Sequence, residues 1–146
     1  MSVQILVIDD DEGIRKLLKV LLKQTGYDLL EAGDADAAFG ILRQSQSVQA
    51  VICDIKIHNV SGLQILERIK RDFETLPVIM LTALLDLQVA IDAMRKGAFD
   101  FLTKPVKKDD LILVIEKALN YKAVLDENRR LRLQNQRYRE SLGRAE

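Results

Sequence analysis

Short hydrophobic runs alternate along the chain with segments whose apolar residues recur every three or four positions. The runs cover residues 4–8, 27–32, 50–56, 78–81 and 99–102. The segments that follow them, near residues 14–22, 34–42, 63–72, 89–97 and 108–143, have the periodicity of amphipathic helices. Strands that alternate with helices through short connections predict a doubly wound α/β sandwich, with a five-stranded parallel sheet and five helices.

The third run, Ala50-Val51-Ile52-Cys53, leads directly into a single carboxylate, Asp54. An apolar run without alternation is typical of a strand that helices cover on both faces. In open parallel sheets, ligands bind outside the carboxyl ends of the strands, which is where Asp54 is expected. An aspartate after a strand is more often a turn residue or a helix cap, so the other strand ends decide between these interpretations.

Three further strands also end in polar residues. Asp9 and Asp10 come after the first strand, Thr82 after the fourth, and Lys104 after the fifth. A doubly wound fold brings these strand ends together, and Asp54 with them. Carboxylates in such proximity repel one another, so the arrangement predicts a divalent cation, and an all-oxygen environment favours Mg²⁺.

The predicted cation site suggests a chemistry for the central aspartate. The expected ligands are oxygens of Asp9, Asp10, Asp54 and the main chain of Lys56. With a cation and an ammonium group beside it, Asp54 could attack a phosphoryl group and form an acyl phosphate, because phosphoryl transfer chiefly requires charge neutralisation. Lys104 would pair with one phosphate oxygen, and the Thr82 hydroxyl would bond another. Alone, Thr82 is a typical capping residue and Lys104 a solvated lysine, so their joint placement carries the hypothesis.

Four motifs stand at these strand ends, namely Ile8-Asp9-Asp10, Asp54, Thr82-Ala83 and Lys104-Pro105. Together they resemble the signature of the bacterial response-regulator receiver domain, over about residues 3–119. The resemblance implies the flavodoxin-like strand order 2-1-3-4-5 and phosphorylation of Asp54 by a sensor histidine kinase. It implies Asp9 and Asp10 as the acidic pair and Phe101 as a switch residue beside Thr82. It also implies a cis peptide bond before Pro105.

One position departs from the receiver pattern. Receivers usually carry an apolar residue and then proline, three and four positions after the phosphorylated aspartate, whereas here Ile57 is followed by His58. We expect the missing proline to leave this loop freer. A solvated loop histidine is the favoured interpretation of His58, since Mg²⁺ prefers oxygen ligands.

The last predicted helix continues beyond residue 119 and shows a heptad pattern. Its seam residues are Tyr121, Val124, Asn128, Leu131, Asn135, Tyr138 and Leu142. We interpret residues 120–146 as a coiled-coil signalling helix after a receiver domain of residues 1–119. The alternative is a frayed, solvated helix extension. Glu127-Asn128-Arg129-Arg130-Leu131 resembles the linker helix of nitrogen-regulator-type enhancer-binding activators, which implies an effector domain that this chain does not include.

The seam predicts a homodimer of parallel chains, because asparagines at Asn128 and Asn135 satisfy one another when the chains are in register. The surface of the fourth helix, fifth strand and fifth helix is a second candidate dimer contact. This same surface is expected to change when phosphorylation of Asp54 draws Thr82 toward the phosphate and turns Phe101 inward.

The predicted function is a phosphorelay switch that controls an output, with transcription the expected one. The chain would catalyse only its own phosphorylation and dephosphorylation, and otherwise is not expected to be an enzyme. A metal-dependent phosphohydrolase that uses an aspartyl-phosphate is the alternative, but Lys56 stands where such an enzyme needs a second acid or base. A binding-only pseudo-receiver is disfavoured because every acceptor-site residue is present.

Composition excludes several other classes of function. The chain has 22 basic and 22 acidic residues, and residues 119–146 carry seven basic against four acidic ones, too mild an excess for direct nucleic-acid binding. We find no signal peptide and no apolar run near the roughly 18–20 residues that a membrane span needs. The single cysteine, Cys53, lies in an apolar run, so we predict a reduced core thiol in a cytoplasmic protein.

Overall fold

Strands and helices alternate along the chain as the hydrophobic pattern predicts. The computed structural model describes residues 3–58, 60–83 and 86–145. The strands are β1 (Gln4–Ile8), β2 (Asp28–Ala32), β3 (Val48–Asp54), β4 (Lys56–Ile57), β5 (Val60–Ser61), β6 (Val78–Ala83) and β7 (Asp100–Lys104). The helices are α1 (Glu12–Leu21), α2 (Ala35–Gln44), α3 (Gly62–Asp72), α4 (Leu87–Arg95) and α5 (Lys108–Ala145).

Five strands form one parallel sheet in the order β2-β1-β3-β6-β7. The predicted fourth and fifth strands are β6 and β7, so the structure confirms the flavodoxin-like order 2-1-3-4-5. The three central strands are almost entirely apolar, because each is covered on both faces and has no solvent-facing side.

Two hydrophobic cores lie on opposite faces of the sheet. Helices α1 and α5 cover one face, where Leu18 and Ile115 are fully buried. Helices α2, α3 and α4 cover the other, where Leu66 and Ala93 are fully buried. Cys53 is a free, buried thiol within the second core. This division of the helices leaves the carboxyl ends of the strands open for a site.

Polar residues define where several helices begin. Asp11, Asp34 and Ser61 each accept a hydrogen bond from a main-chain N–H in the first turn of α1, α2 and α3, respectively. Such caps satisfy N–H groups that the helix itself leaves without partners. They fix the start of α1 directly after the acidic residues of the β1–α1 turn.

The segment after β3 is more ordered than the sequence predicts. Instead of a plain loop, Lys56–Ile57 and Val60–Ser61 pair as a short antiparallel hairpin, β4–β5. The hairpin leads directly into α3 at Gly62. The final helix α5 is 38 residues long, and so continues through the predicted seam.

Gly62 allows the hairpin to close against the end of β3. A Cβ atom at this position would lie 2.1 Å from the carbonyl oxygen of Asp54 and 2.9 Å from the Cα of Ile55. The Gly62 N–H donates a hydrogen bond to the Ile55 carbonyl, so the two main-chain segments are in direct contact. A side chain here would push the hairpin away from Asp54.

We therefore expect Gly62→Ala to lower the free energy of unfolding by about 2–3 kcal/mol, because both neighbours are main chain and cannot rotate away. Gly40→Ala is the matched control: Gly40 lies within α2, and an added Cβ would meet nothing within 4 Å. In that variant, the higher helix propensity of alanine should raise the free energy of unfolding by about 0.5–1 kcal/mol. Urea unfolding of both proteins measures the difference, and a Gly62→Ala protein as stable as the wild type would contradict the close approach.

Candidate functional site

The strand register brings the predicted site residues to one edge of the sheet. Ile8 of β1 pairs with Cys53 of β3, so the next residues along, Asp9 and Asp54, end at the same level. On the other side of β3, Asp54 pairs with Leu81 of β6. Ala83 of β6 pairs with Lys104 at the end of β7. Four neighbouring strands thus deliver their terminal side chains to one cleft.

Three carboxylates form a cluster in this cleft. Asp9, Asp10 and Asp54 each offer an oxygen atom, and these oxygens all lie within 4.8 Å of one another. Asp9 is fully buried, Asp54 is half-buried and Asp10 is exposed. Oxygen atoms at this spacing could hold a hard divalent ion, which would offset the repulsion among them.

Asp9 is the most constrained member of the cluster. Its Oδ1 accepts a hydrogen bond from the Asp11 N–H at 2.9 Å, whereas Oδ2 is buried and has no hydrogen-bond partner in the described chain. Burial raises the pKa of Asp9 to about 6, with the charges of Asp54 and Asp10 adding to the effect. The Asp11 N–H and the Lys104 ammonium oppose the increase.

Lys104 supplies a positive charge to two of the carboxylates. Its Nζ lies 3.0 Å from Asp54 Oδ2 and 3.7 Å from Asp9 Oδ2. Burial lowers the pKa of Lys104, but the hydrogen bond to Asp54 and the two negative charges together raise it above its ordinary value. The Lys104-Pro105 peptide bond is cis, as the receiver resemblance implies.

Asp10 is held by the hairpin after β3. The His58 main-chain N–H donates a hydrogen bond to Asp10 Oδ2 at 2.8 Å, and the imidazole Nδ1 lies 3.6 Å from the same oxygen. The hydrogen bond from His58 is the main cause that lowers the pKa of Asp10. The main chain at His58 is therefore bonded to Asp10. The freer loop expected from the missing proline stays a prediction. The imidazole itself is largely exposed, as expected for a loop histidine.

The remaining predicted residues surround the cluster without joining it. The Lys56 N–H lies 3.4 Å from Asp54 Oδ1, a long contact from the start of the hairpin. The Thr82 side chain is buried, and its hydroxyl donates to the main-chain carbonyl of Ala83 at 3.1 Å. Phe101 is half-buried and packs against the core under α2, α3 and α4.

Arg15, in α1, is a site residue that the sequence analysis missed. Its guanidinium donates to the Asp9 carbonyl at 2.6 Å and to the Glu31 carboxylate at 3.2 Å. These bonds fasten the turn that carries the acidic pair to the end of β2. The sequence offers only a weak signal for this role: Arg15 is a basic residue near the start of a helix that follows an acidic turn.

Comparisons with known proteins place this geometry in a recognised group. The family model described as "Response regulator receiver domain" matches residues 5–116. The C4-dicarboxylate transport transcriptional regulatory protein DctD of Pseudomonas aeruginosa is 35% identical over 136 residues, which are 89% of this chain and 28% of that protein. An NtrX-like response regulator of Rickettsia bellii is 32% identical over 128 residues. That match covers 86% of this chain and 27% of the relative, so the chain spans about a quarter of the length of such proteins.

Solved structures agree with the sequence comparisons. A response regulator receiver domain protein from Clostridium thermocellum superposes with a TM-score of 0.80 and 39% identity, covering 86% of this chain and 99% of that one. NtrX from Brucella abortus superposes with a TM-score of 0.82 and 36% identity, covering 90% of this chain and 30% of that one. No helix in the described residues is both long and apolar enough to cross a membrane.

The raised pKa of Asp9 predicts a pH-dependent cost to folding. The folded-state pKa of about 6 exceeds the unfolded value of 3.8, so ionisation above pH 4 progressively destabilises the folded protein. We expect Asp9→Asn to raise the free energy of unfolding by about 1–3 kcal/mol at pH 7.5 without divalent cations, because the amide removes a buried charge. Unfolding at pH 7.5 and at pH 4 measures this gain, which should vanish at the lower pH. An equal gain at both pH values would contradict the assignment to Asp9 ionisation.

Proposed function

The chain belongs to the response regulator receiver family, and on that premise we propose that Asp54 is the residue that accepts the phosphoryl group in this phosphorelay protein. The observation that carries the proposal is the ion pair of Asp54 with Lys104 at 3.0 Å, inside a cluster of three carboxylates at the sheet edge. A half-buried ammonium group beside a half-buried carboxylate provides the charge neutralisation that phosphoryl transfer requires.

In the proposed transfer, a carboxylate oxygen of Asp54 attacks the phosphorus of a phosphohistidine on the sensor kinase. The new P–O bond forms as the P–N bond breaks, and the histidine nitrogen keeps the electron pair of the broken bond. Lys104 neutralises charge on the phosphoryl oxygens, and the Thr82 hydroxyl can rotate from the Ala83 carbonyl toward one of them. The product is an acyl phosphate on Asp54.

The proposed cofactor is Mg²⁺, held by the carboxylates of Asp9, Asp10 and Asp54 and by the main-chain carbonyl of Lys56. The donor set fits, because Asp9 Oδ2 is buried without a hydrogen-bond partner among the described residues and its neighbours offer only oxygen ligands. When bound, a divalent ion supplies charge neutralisation to the phosphoryl oxygens. The residues of the chain would position the ion between the three carboxylates.

The proposed switch links the phosphoryl group to the surface formed by α4, β7 and α5. Thr82 is the penultimate residue of β6, and in the neighbouring strand β7 it pairs with Thr103, two residues after Phe101. We propose that movement of Thr82 toward the phosphate changes the packing of Phe101 through these adjacent strands. Exposed apolar residues on this surface include Leu87, Ile91 and Leu113. Such a surface can exchange partners when Phe101 changes its position.

We propose residues 1–119 as the receiver and residues 120–146 as a helix that transmits its state. The long helix presents two different sides. Lys122 and Asp126 form an ion pair at 2.6 Å, and Asp126 also accepts a hydrogen bond from Thr75 in the α3–β6 loop. At 100° per residue, Val124 and Asn128 lie on roughly the opposite side of the helix.

The side away from Thr75 supports the proposed parallel homodimer. Its apolar residues are large and solvent-exposed, with exposed fractions of 58% for Val124, 66% for Tyr138 and 52% for Leu142. Tyr121, the first seam residue, also packs against Phe99 with ring centroids 5.2 Å apart. A second copy of the helix, packed in parallel along this seam, would bury its apolar residues.

The output of the whole protein is proposed from its relatives. DctD is named as a transcriptional regulatory protein, as is ZraR of Escherichia coli. We propose transcription control through an effector domain outside this chain, without direct nucleic-acid binding by the segment itself. A sensor histidine kinase that draws on cellular ATP implies a cytoplasmic location. Catalysis by the chain is proposed to be limited to its own phosphorylation and dephosphorylation.

The phosphorylation site can be tested by intact-mass measurement after incubation with acetyl phosphate and Mg²⁺. We expect one phosphoryl group on the wild-type chain and none on Asp54→Asn, because an amide cannot serve as the acceptor. Asp36→Asn, on the exposed surface of α2, is the control and should be labelled like the wild type. Undiminished labelling of Asp54→Asn would refute the proposed acceptor.

The dimer can be tested by sedimentation of the full chain and of a version that ends at Leu119. We expect association to weaken at least tenfold, by roughly 1.4 kcal/mol, in the shorter version. Within the full chain, Leu131→Lys should weaken association, because Leu131 lies in the seam. Leu133→Lys should not, although the exposed fractions of the two leucines are similar, 43% and 49%. Equal association constants for all four proteins would exclude the helix as the dimer contact.

A further inference from the structure

The hydrogen bond from the His58 main chain to Asp10 uses a group that proline lacks. The His58 N–H donates to Asp10 Oδ2 at 2.8 Å, across 48 positions of sequence. The family pattern has proline here, and proline has no main-chain N–H to donate. The replacement of proline by histidine therefore adds a donor to the acidic cluster.

The main-chain conformation of His58 and the short hairpin beside it place the donor. His58 has φ of 55°, the left-handed conformation that few residues other than glycine adopt and that histidine tolerates better than most. It follows β4, which pairs with β5 in the short hairpin. The close contact of Gly62 with Asp54 fixes the end of that hairpin. The conformation of His58 and the hairpin thus direct the N–H at Asp10.

We propose that the main-chain N–H of His58 is a positioning group for Asp10, which holds that carboxylate in the orientation that binds a divalent cation. This inference rests on the cation site proposed above. Carboxylates that bind metals are commonly held by outer hydrogen bonds, and loss of such a bond reduces metal affinity by about 10–100-fold. Asp10 needs such a support because it is the exposed member of the cluster.

The imidazole does not make this hydrogen bond, although its charge also contributes to the lowered pKa of Asp10. Its Nδ1 is 3.6 Å from Asp10 Oδ2, too far for a hydrogen bond, and the side chain is 64% exposed. The ring also lies outside the group of oxygens within 4.8 Å of one another. What matters at position 58 is therefore the presence of an N–H and a main chain that can adopt positive φ.

These two requirements define a series of variants. His58→Asn and His58→Gly keep the N–H and tolerate the left-handed conformation, so both should bind Mg²⁺ within about twofold of the wild type. His58→Pro removes the donor and cannot adopt φ of 55°, and should bind Mg²⁺ about tenfold more weakly, although it restores the family residue. His58→Val keeps the N–H but resists positive φ, and should fall between these limits. Calorimetric titration with Mg²⁺ gives the affinities of the four variants and of the wild type.

A second measurement follows the hydrogen bond itself in the cation-free protein. The His58 amide proton should exchange slowly in the wild type and in Asp36→Asn, and rapidly in Asp10→Ala, which lacks the acceptor. In the Asp10→Ala background, His58→Pro should have no further effect on Mg²⁺ affinity, because the two residues act through one contact.

The outcomes separate the inference from the cation site on which it rests. Failure of the wild-type chain to bind Mg²⁺ would overturn both. Normal binding by the wild type and equally strong binding by a folded His58→Pro would overturn the inference alone, as would an unprotected His58 amide. A loss of affinity in His58→Asn equal to that in His58→Pro would assign the effect to the imidazole, and would also overturn it.

Discussion

Mutual repulsion among three carboxylates is the constraint on which the site depends. A parallel sheet delivers Asp9 and Asp54 to the same level, and burial makes the charge on Asp9 costly. The Lys104 ammonium reaches both residues and offsets part of this cost. The negative charge that Lys104 does not neutralise would attract a further cation to the cleft. Carboxylates whose charge is costly and which converge in a cleft are a sign of function rather than of stability.

The hydrophobic pattern predicts most of the fold because it reports burial directly. The central strands read as continuous apolar runs because helices cover both faces, and the predicted strand order follows from the receiver resemblance. The convergence of Asp9, Asp54, Thr82 and Lys104 could also be predicted, since parallel strands place their ends along one edge. Strand burial and the convergence of strand ends both follow from the order of strands and helices, which the hydrophobic pattern reveals over many residues.

Details that depend on single main-chain contacts could not be predicted. The β4–β5 hairpin has only two residues in each strand, too few to show an alternating pattern. The bond from His58 to Asp10 spans 48 positions and uses the main-chain N–H of His58, so the identity of the side chain at this position could not reveal it. Arg15 acts through the Asp9 carbonyl, a partner that every residue possesses and no pattern identifies.

The unbroken course of α5 has a mechanical consequence. Its first turns are part of the sheet-covering core, where Leu111 and Ile115 are fully buried, and its last turns extend past the domain without a hinge. Asp126 still contacts Thr75 of the domain, so the free part of the helix begins after Asp126. At about 1.5 Å per residue, that part forms a lever arm of roughly 28 Å. A tilt of about 10° at its base would displace the far end by about 5 Å. Rotation of the base about the helix axis would also turn the far end, so an unbroken helix of this kind is suited to transmit angle as well as position.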